Sequence, residues 1–179
     1  VNPNTAVGAG SMRTAGNTAQ YNTAVGYNTM YRTTTGTYNT VMGFRAGANI
    51  TTATDNVIIG AQAAPNITTT GQNVVIGAFA LNAQSFAALN TNNVAIGYEA
   101  LYANNPNSGV TGRNNVGVGY AALRNNTIGY DNVAVGNASL SDNIDGNYNS
   151  AFGWNAGGSI SSGNLNTIMG YNSGTILAT

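Results

Sequence analysis

An all-β parallel solenoid is the fold class this sequence predicts, and three observations predict it. A five-residue pattern recurs ten times along the 179 residues. Its spacing stays close to 17 residues. The composition is starved of charge and rich in small amides and glycine, with 30 Asn and 24 Gly. Charged residues make up 6%, against about 25% in an ordinary globular domain.

The pattern reads Asn, an apolar residue or Thr, a small or branched residue, a branched or large apolar residue, then Gly. It begins at Asn4, Asn22, Asn39, Asn56, Asn73, Asn93, Asn115, Asn132, Asn149 and Asn166, in steps of 18, 17, 17, 17, 20, 22, 17, 17 and 17 residues. Two-helix repeats need about 33 residues or more, so helical solenoids are excluded. NVAIG at 93–97 has the length and alternation of a short strand. Identical strands running in one direction must stack in parallel. At about 4.8 Å per layer, ten coils span roughly 48 Å.

Each coil then continues in the same way. An aromatic or small residue follows the Gly, as at Tyr27, Phe44, Tyr98, Tyr120, Trp154 and Tyr171. Such a column packs one coil on the next or lines an interface, with a carbohydrate platform as the alternative. Small residues such as Ala46, Ala100 and Ser139 come two positions later. A second short extended stretch is expected there, for example over 98–101, followed by a turn rich in Asn, Thr and Gly. The Asn column is expected to form an amide ladder from coil to coil. The Gly column requires either positive φ at a corner or close approach of another backbone.

The coil is thin. The expected filling is the column before the Gly: Val7, Val25, Met42, Ile59, Ile76, Ile96, Val118, Val135, Phe152 and Met169. The opposite face, with Ala24, Val41, Ile58, Val75, Ala95 and Ile168, then forms an apolar stripe. Monomers rarely expose such a stripe. It is covered either by the chain's own turns or by other subunits, and a closed ring of three parallel coils would bury it.

The NVAIG-Tyr-x-Ala-Leu copies resemble the head repeats of YadA-like trimeric autotransporter adhesins. NTAVGYNTM-x-x-TTTGTYNTVMG, residues 22–43, is the fullest match and is similar to longer-period repeats of phage tail fibres and trimeric bacterial surface fibres. The resemblance covers nearly the whole chain. It implies a left-handed β-roll of about ten 17-residue coils assembled as a homotrimer. It also implies an extracellular location, on a cell surface or virion. The coil here is a few residues longer than in adhesin heads. Residues 1–179 form a single repeat domain, expected to be a fragment of a longer fibre.

Composition excludes several chemistries. There is no His, Cys or Lys. That removes the usual zinc, haem and iron–sulfur ligands, Ser–His and Cys–His pairs, and Schiff-base chemistry. No catalytic residue, metal or cofactor is expected. Zero net charge without a basic stripe argues against nucleic acid. No apolar run reaches the ~20 residues of a membrane span, so no membrane insertion is expected.

Two adjacent steps carry three and five extra residues. The inserted loops, 82–92 and 102–114, are expected to form one bump on a rigid scaffold, where binding groups often sit. Phe86 and Tyr102 are candidates to stack on a sugar ring. Asn104, Asn105, Asn107 and Arg113 are candidates to bond its hydroxyls. The expected partner is a cell-surface glycan or protein receptor, beside the chain's own copies. Arg side chains are also candidates to pair across subunits with Glu99 or Asp131.

Asp142 and Asp145 form the one close carboxylate pair. A turn explains them most simply. As a calcium loop, Ser141, Asn143 and Asp145 alternate before Gly146, but Phe152 stands where the late Glu is needed. As a glycosidase the pair would supply an acid and a base. Ice binding is a further alternative, yet the rank of Thr5, Thr23 and Thr40 is broken by Val94, Val116 and Val133. A plain fibre shaft without a ligand completes the alternatives.

Overall fold

The computed structural model describes residues 3–84, 91–105 and 111–174. Ten three-residue strands follow one another: β1 (Thr5–Val7), β2 (Thr23–Val25), β3 (Thr40–Met42), β4 (Val57–Ile59), β5 (Val74–Ile76), β6 (Val94–Ile96), β7 (Val116–Val118), β8 (Val133–Val135), β9 (Ser150–Phe152) and β10 (Thr167–Met169). They form one parallel sheet in sequence order. The register is that of the repeat, with Ala95 opposite Gly117 and Gly117 opposite Ala134. The chain is thus a β-solenoid of about nine turns. No helix occurs among the described residues, and none there could cross a membrane.

The two strand faces are the reverse of the sequence expectation. The middle residue of each strand points inward: Ala24, Val41, Ile58, Val75, Ala95, Ala134 and Ala151 are fully buried. The residues on either side of it point out. Val7, Met42 and Phe152, expected in the core, are 55%, 46% and 40% exposed. The reason lies in the second half of the coil. No second strand follows the Gly; a run of turns does. In it, neighbouring residues such as Ala80 and Leu81, Ala100 and Leu101, or Ala122 and Leu123 are all fully buried. An extended stretch cannot bury two consecutive side chains, because they alternate. The backbone achieves it by left-handed residues at alternate positions, such as Glu99 (φ 53°) and Leu101 (φ 51°). These turn side chains share the interior with the middle strand residue, which is Val or Ile in some coils and Ala or Gly in others.

The amide ladder is present. At each of nine steps the backbone N–H of one Asn donates to Oδ1 of the Asn one coil earlier, from Asn22 to Asn4 (2.9 Å) through Asn166 to Asn149 (3.0 Å). Asn132 shows the full set. Its Nδ2 donates to Asn115 Oδ1 at 3.1 Å and to the Gly146 carbonyl at 2.8 Å. The large majority of buried polar groups in folded chains are bonded in this way.

Both proposed causes hold for the Gly column. Gly26 has φ 137°, and a Cβ there would stand 2.5 Å from the Gly43 carbonyl oxygen. A side chain would push adjacent coils apart.

Candidate functional site

Coil-to-coil hydrogen bonds in register with the neighbouring coils are made at Ala83 and Asn105, and again at Thr91 and Gly112. The extra residues therefore fall between 84 and 91 and between 105 and 112, inside the ranges expected from spacing. Phe86 and Asn107 lie outside the described residues.

Amides clasp the stems of both insertions. Gln84 is buried, and its Nε2 reaches Thr70 Oγ1 and Thr91 Oγ1, each at 3.4 Å. Thr91 in turn donates to Asn73 Oδ1 at 2.7 Å. One coil on, Asn104 Nδ2 donates to the Gly112 carbonyl at 2.9 Å. Asn104 is fully buried and accepts from Asn126 Nδ2 at 3.0 Å. Its expected role on a ligand is therefore corrected: it ties the loop stem from inside the coil.

The remaining candidates divide between two corners. Tyr102 is half-buried, with the Arg124 guanidinium 5.5 Å from its ring centroid. Asn105 is also half-buried, and its N–H donates to the Thr127 carbonyl at 2.9 Å. Arg113 is aligned with a different corner, where its carbonyl accepts from the Asp131 N–H at 3.0 Å. Its Nε is buried without a hydrogen-bond partner among the described residues. Tyr102 and Arg113 are thus not brought to one point.

Arg124 organises a cluster that spacing did not single out. Its Nε meets Glu99 Oε2 at 2.6 Å, so Glu99 is paired within the chain. Arg124 Nη1 approaches Asn125 Oδ1 at 3.4 Å, and Asn125 Nδ2 donates to Asp142 Oδ1 at 3.1 Å. The hydrogen bond to Glu99 raises Arg124 above its ordinary pKa. The Glu99 carboxylate also holds the Tyr98 phenol above the usual tyrosine range, chiefly through its charge, with desolvation and then a hydrogen bond to Glu99 adding to it. Tyr98 stacks on Tyr120, with centroids 5.5 Å apart and planes 7° apart. Aromatic faces, a guanidinium, an amide and carboxylates thus share one wall over three coils. Such a set can stack on a ring and exchange hydrogen bonds with hydroxyls. Charge complementarity at a repeat distance of 25 residues was the available clue, since Glu99 and Arg124 straddle one enlarged coil.

The Asp142 region serves the scaffold. Asn143, offered as a calcium ligand, is buried and donates to Asn126 Oδ1 at 2.7 Å. It faces into the coil, which corrects the calcium-loop alternative. No group of three or more His, Cys, Asp or Glu side chains placed to hold a metal occurs among the described residues.

The aromatic column packs coil on coil as expected, in pairs: Tyr27 on Phe44, Tyr98 on Tyr120, and Trp154 on Tyr171. A second column, missed in the sequence, stacks Tyr21 on Tyr38 at 5.1 Å. Both of these tyrosines have positive φ, at the corner just before the Asn ladder. No family model matches the chain, and no curated protein or solved structure shows significant similarity to it.

Proposed function

We propose that this chain is a structural and adhesive segment of a homotrimeric extracellular fibre. In this reading it is a left-handed β-roll, displayed on a cell surface or virion. It presents a surface that recognises a cell-surface receptor, with a glycan as the preferred ligand class. The reading assigns the chain no enzymatic activity.

The observation that carries it is the outward strand face. Val57, Ile76 and Val135 are each more than a third exposed, and Val7, Met42 and Phe152 are more so. They continue one another along ten rungs of a single sheet. A flat apolar strip of this length is the mark of an association surface. Head-to-side packing of three copies closes it without leaving an open edge. The scarcity of charge agrees, since stacked identical charges repel at rung spacing and neutral amides do not.

Solution mass by light scattering is the test of assembly. Three times 18.2 kDa is expected, and a stable single-chain mass would end the fibre reading. The receptor part is tested separately on a glycan array. The comparison is between the native chain and one whose 73–93 and 93–115 steps are cut to 17 residues. Equal binding by both would move recognition away from the insertions. No binding by either would leave a plain shaft.

A further inference from the structure

The aromatic column after the recurring Gly contains a one-rung gap. Positions 120, 137 and 154 occupy consecutive rungs. The Ala138 N–H donates to the Tyr120 carbonyl, and the Asn155 N–H to the Asn137 carbonyl, both at 2.8 Å. On one side of the gap Tyr98 stacks on Tyr120. On the other, Trp154 stacks on Tyr171, with centroids 4.9 Å apart and planes 15° apart. Nearly parallel planes at these centroid distances are offset stacks, so the rings form two pairs of tilted shelves that turn their faces along the column. Two rungs of about 4.8 Å place the Tyr120 and Trp154 shelves roughly 9.6 Å apart. The residue between them is Asn137. It is exposed, and its amide makes no hydrogen bond among the described residues. Both shelves face solvent, at 54% for Tyr120 and 46% for Trp154.

We infer that this slot binds a terminal pyranose ring, sandwiched between Tyr120 and Trp154, with the Asn137 amide bonding its hydroxyls. The slot is one rung deep and admits one ring. It suits a saturated ring, which carries axial hydrogens on both faces and offers apolar patches to each aromatic. The polar floor selects a ring with a hydroxyl rim. A ring held between the two aromatic rungs is blocked above and below, so a linear polymer cannot run along the column. The sugar must enter from the side and continue outward, which makes it a chain end or a branch. The other gap, between Phe44 and Tyr98, is floored by Ala61 and Ala78. It has no amide there, and Phe79 leans edge-on against Tyr98 at 5.8 Å.

Trp154 is the one tryptophan in the chain, so its emission reports the slot directly. The experiment titrates the intact protein with methyl β-D-galactopyranoside, methyl α-D-mannopyranoside and N-acetylglucosamine, with benzyl alcohol as a flat-ring probe. A saturable change in Trp154 emission is expected with at least one sugar at millimolar concentration. Tyr120→Ala should weaken it about tenfold by removing one stacking face. Asn137→Tyr should abolish it by filling the missing rung, as Tyr98 and Tyr120 already do within this column. A flat titration with all three sugars would overturn the slot. So would a response that survives Asn137→Tyr, or one matched by benzyl alcohol. The inference takes its ligand class from the fibre reading but uses a different surface. A three-chain mass with a flat titration removes the slot and leaves the fibre. A single-chain mass with a saturable titration does the opposite.

Discussion

Gly47 and Ile50 share one volume: a Cβ at position 47 would stand 2.7 Å from Ile50 Cδ1. The same trade runs through the solenoid. Where the turn position is small, as at Gly47, Ala64 and Gly157, the residue three places on is Ile50, Ile67 or Ile160. Where it is large, as at Leu81, Leu101, Leu123 and Leu140, the partner is Gln84, Asn104, Asn126 or Asn143. All of these positions are buried. The interior therefore has two interchangeable fillings, one apolar and one carrying a polar column.

An exchange of fillings follows from this. Gly47→Leu alone overpacks the coil, which costs about 1–3 kcal/mol. Ile50→Gln alone buries an amide where an apolar side chain stood, at a cost on the order of 2–3 kcal/mol. Together they rebuild in the third coil the set of Val75, Leu81 and Gln84 found in the fifth. Leucine is accepted at positive φ there, since Leu81 has φ 50°. The new amide would also stand one rung from Thr33 Oγ1, which is buried without a partner. The double variant should recover at least about 1 kcal/mol relative to the sum of the singles. Urea denaturation of all four proteins measures it, and strict additivity would refute the shared volume.

The Asn ladder makes a sharper demand. Asn132→Ala removes two donated bonds and the Oδ1 that accepts the Asn149 N–H at 2.9 Å. The Asn149 N–H is left unpaired, at about 1–3 kcal/mol, while Asn115 Oδ1 and the Gly146 carbonyl each lose one donor and keep another, so a loss of at least about 2 kcal/mol is expected. Asn137→Ala, on the outward face, should cost almost nothing. Comparable shifts in the urea midpoint for the two would contradict a stabilising ladder.

How far the sequence reveals this fold depends on which signal is asked for. Period, strand position, parallel register and the ladder are legible because each repeats ten times in step. The inward face is not. Alternation in a three-residue strand is symmetric, and the heavier residue before the Gly made the wrong face look like the core. What decides the matter is Leu101 beside Ala100, both buried, and that requires positive φ at ordinary residues. Nothing in the letters Glu99 or Leu101 announces that conformation, which non-glycine residues adopt at a cost of about 1–2 kcal/mol each. The candidate site was legible only as extra length. Buried Asn104 and half-buried Asn105 read alike in a string, and the Arg124 to Glu99 contact depends on coil-to-coil register across an insertion.

Alkaline pH should act through two tyrosines. The Glu99 charge raises Tyr98, and the side-chain hydrogen bond with Tyr130 raises Tyr148. A phenol that holds its proton more tightly in the folded chain adds stability that is complete below its unfolded value of about 10. That contribution is lost as pH climbs through the raised, folded value. Glu99→Gln should bring Tyr98 down towards the ordinary value, and Tyr130→Phe should do the same for Tyr148. Difference absorbance of phenolate formation between variant and native protein reads each change. An unaltered titration curve in both variants would contradict these couplings. Because Glu99 and Arg124 are partly exposed, Glu99→Gln should change stability at neutral pH by less than about 1 kcal/mol.

The assignment of the two strand faces separates folding from assembly at adjacent residues. Ala95 is fully buried between Val94 and Ile96, which point outward. An aspartate at position 95 would put an unpaired charge into the buried apolar core, so Ala95→Asp should unfold the solenoid or cost several kcal/mol. Val94→Asp and Ile96→Asp place the same charge on the outer face. There it should leave the circular dichroism of the coil intact while lowering the solution mass, because the charges of the copies would meet across the apolar strip. The inverse pattern, with 95 tolerant and 94 and 96 unable to fold, is what the face order expected from the sequence would produce. Intact folding and an unchanged mass in Val94→Asp and Ile96→Asp would mean that the strip is not where the copies meet, even if the protein is a trimer.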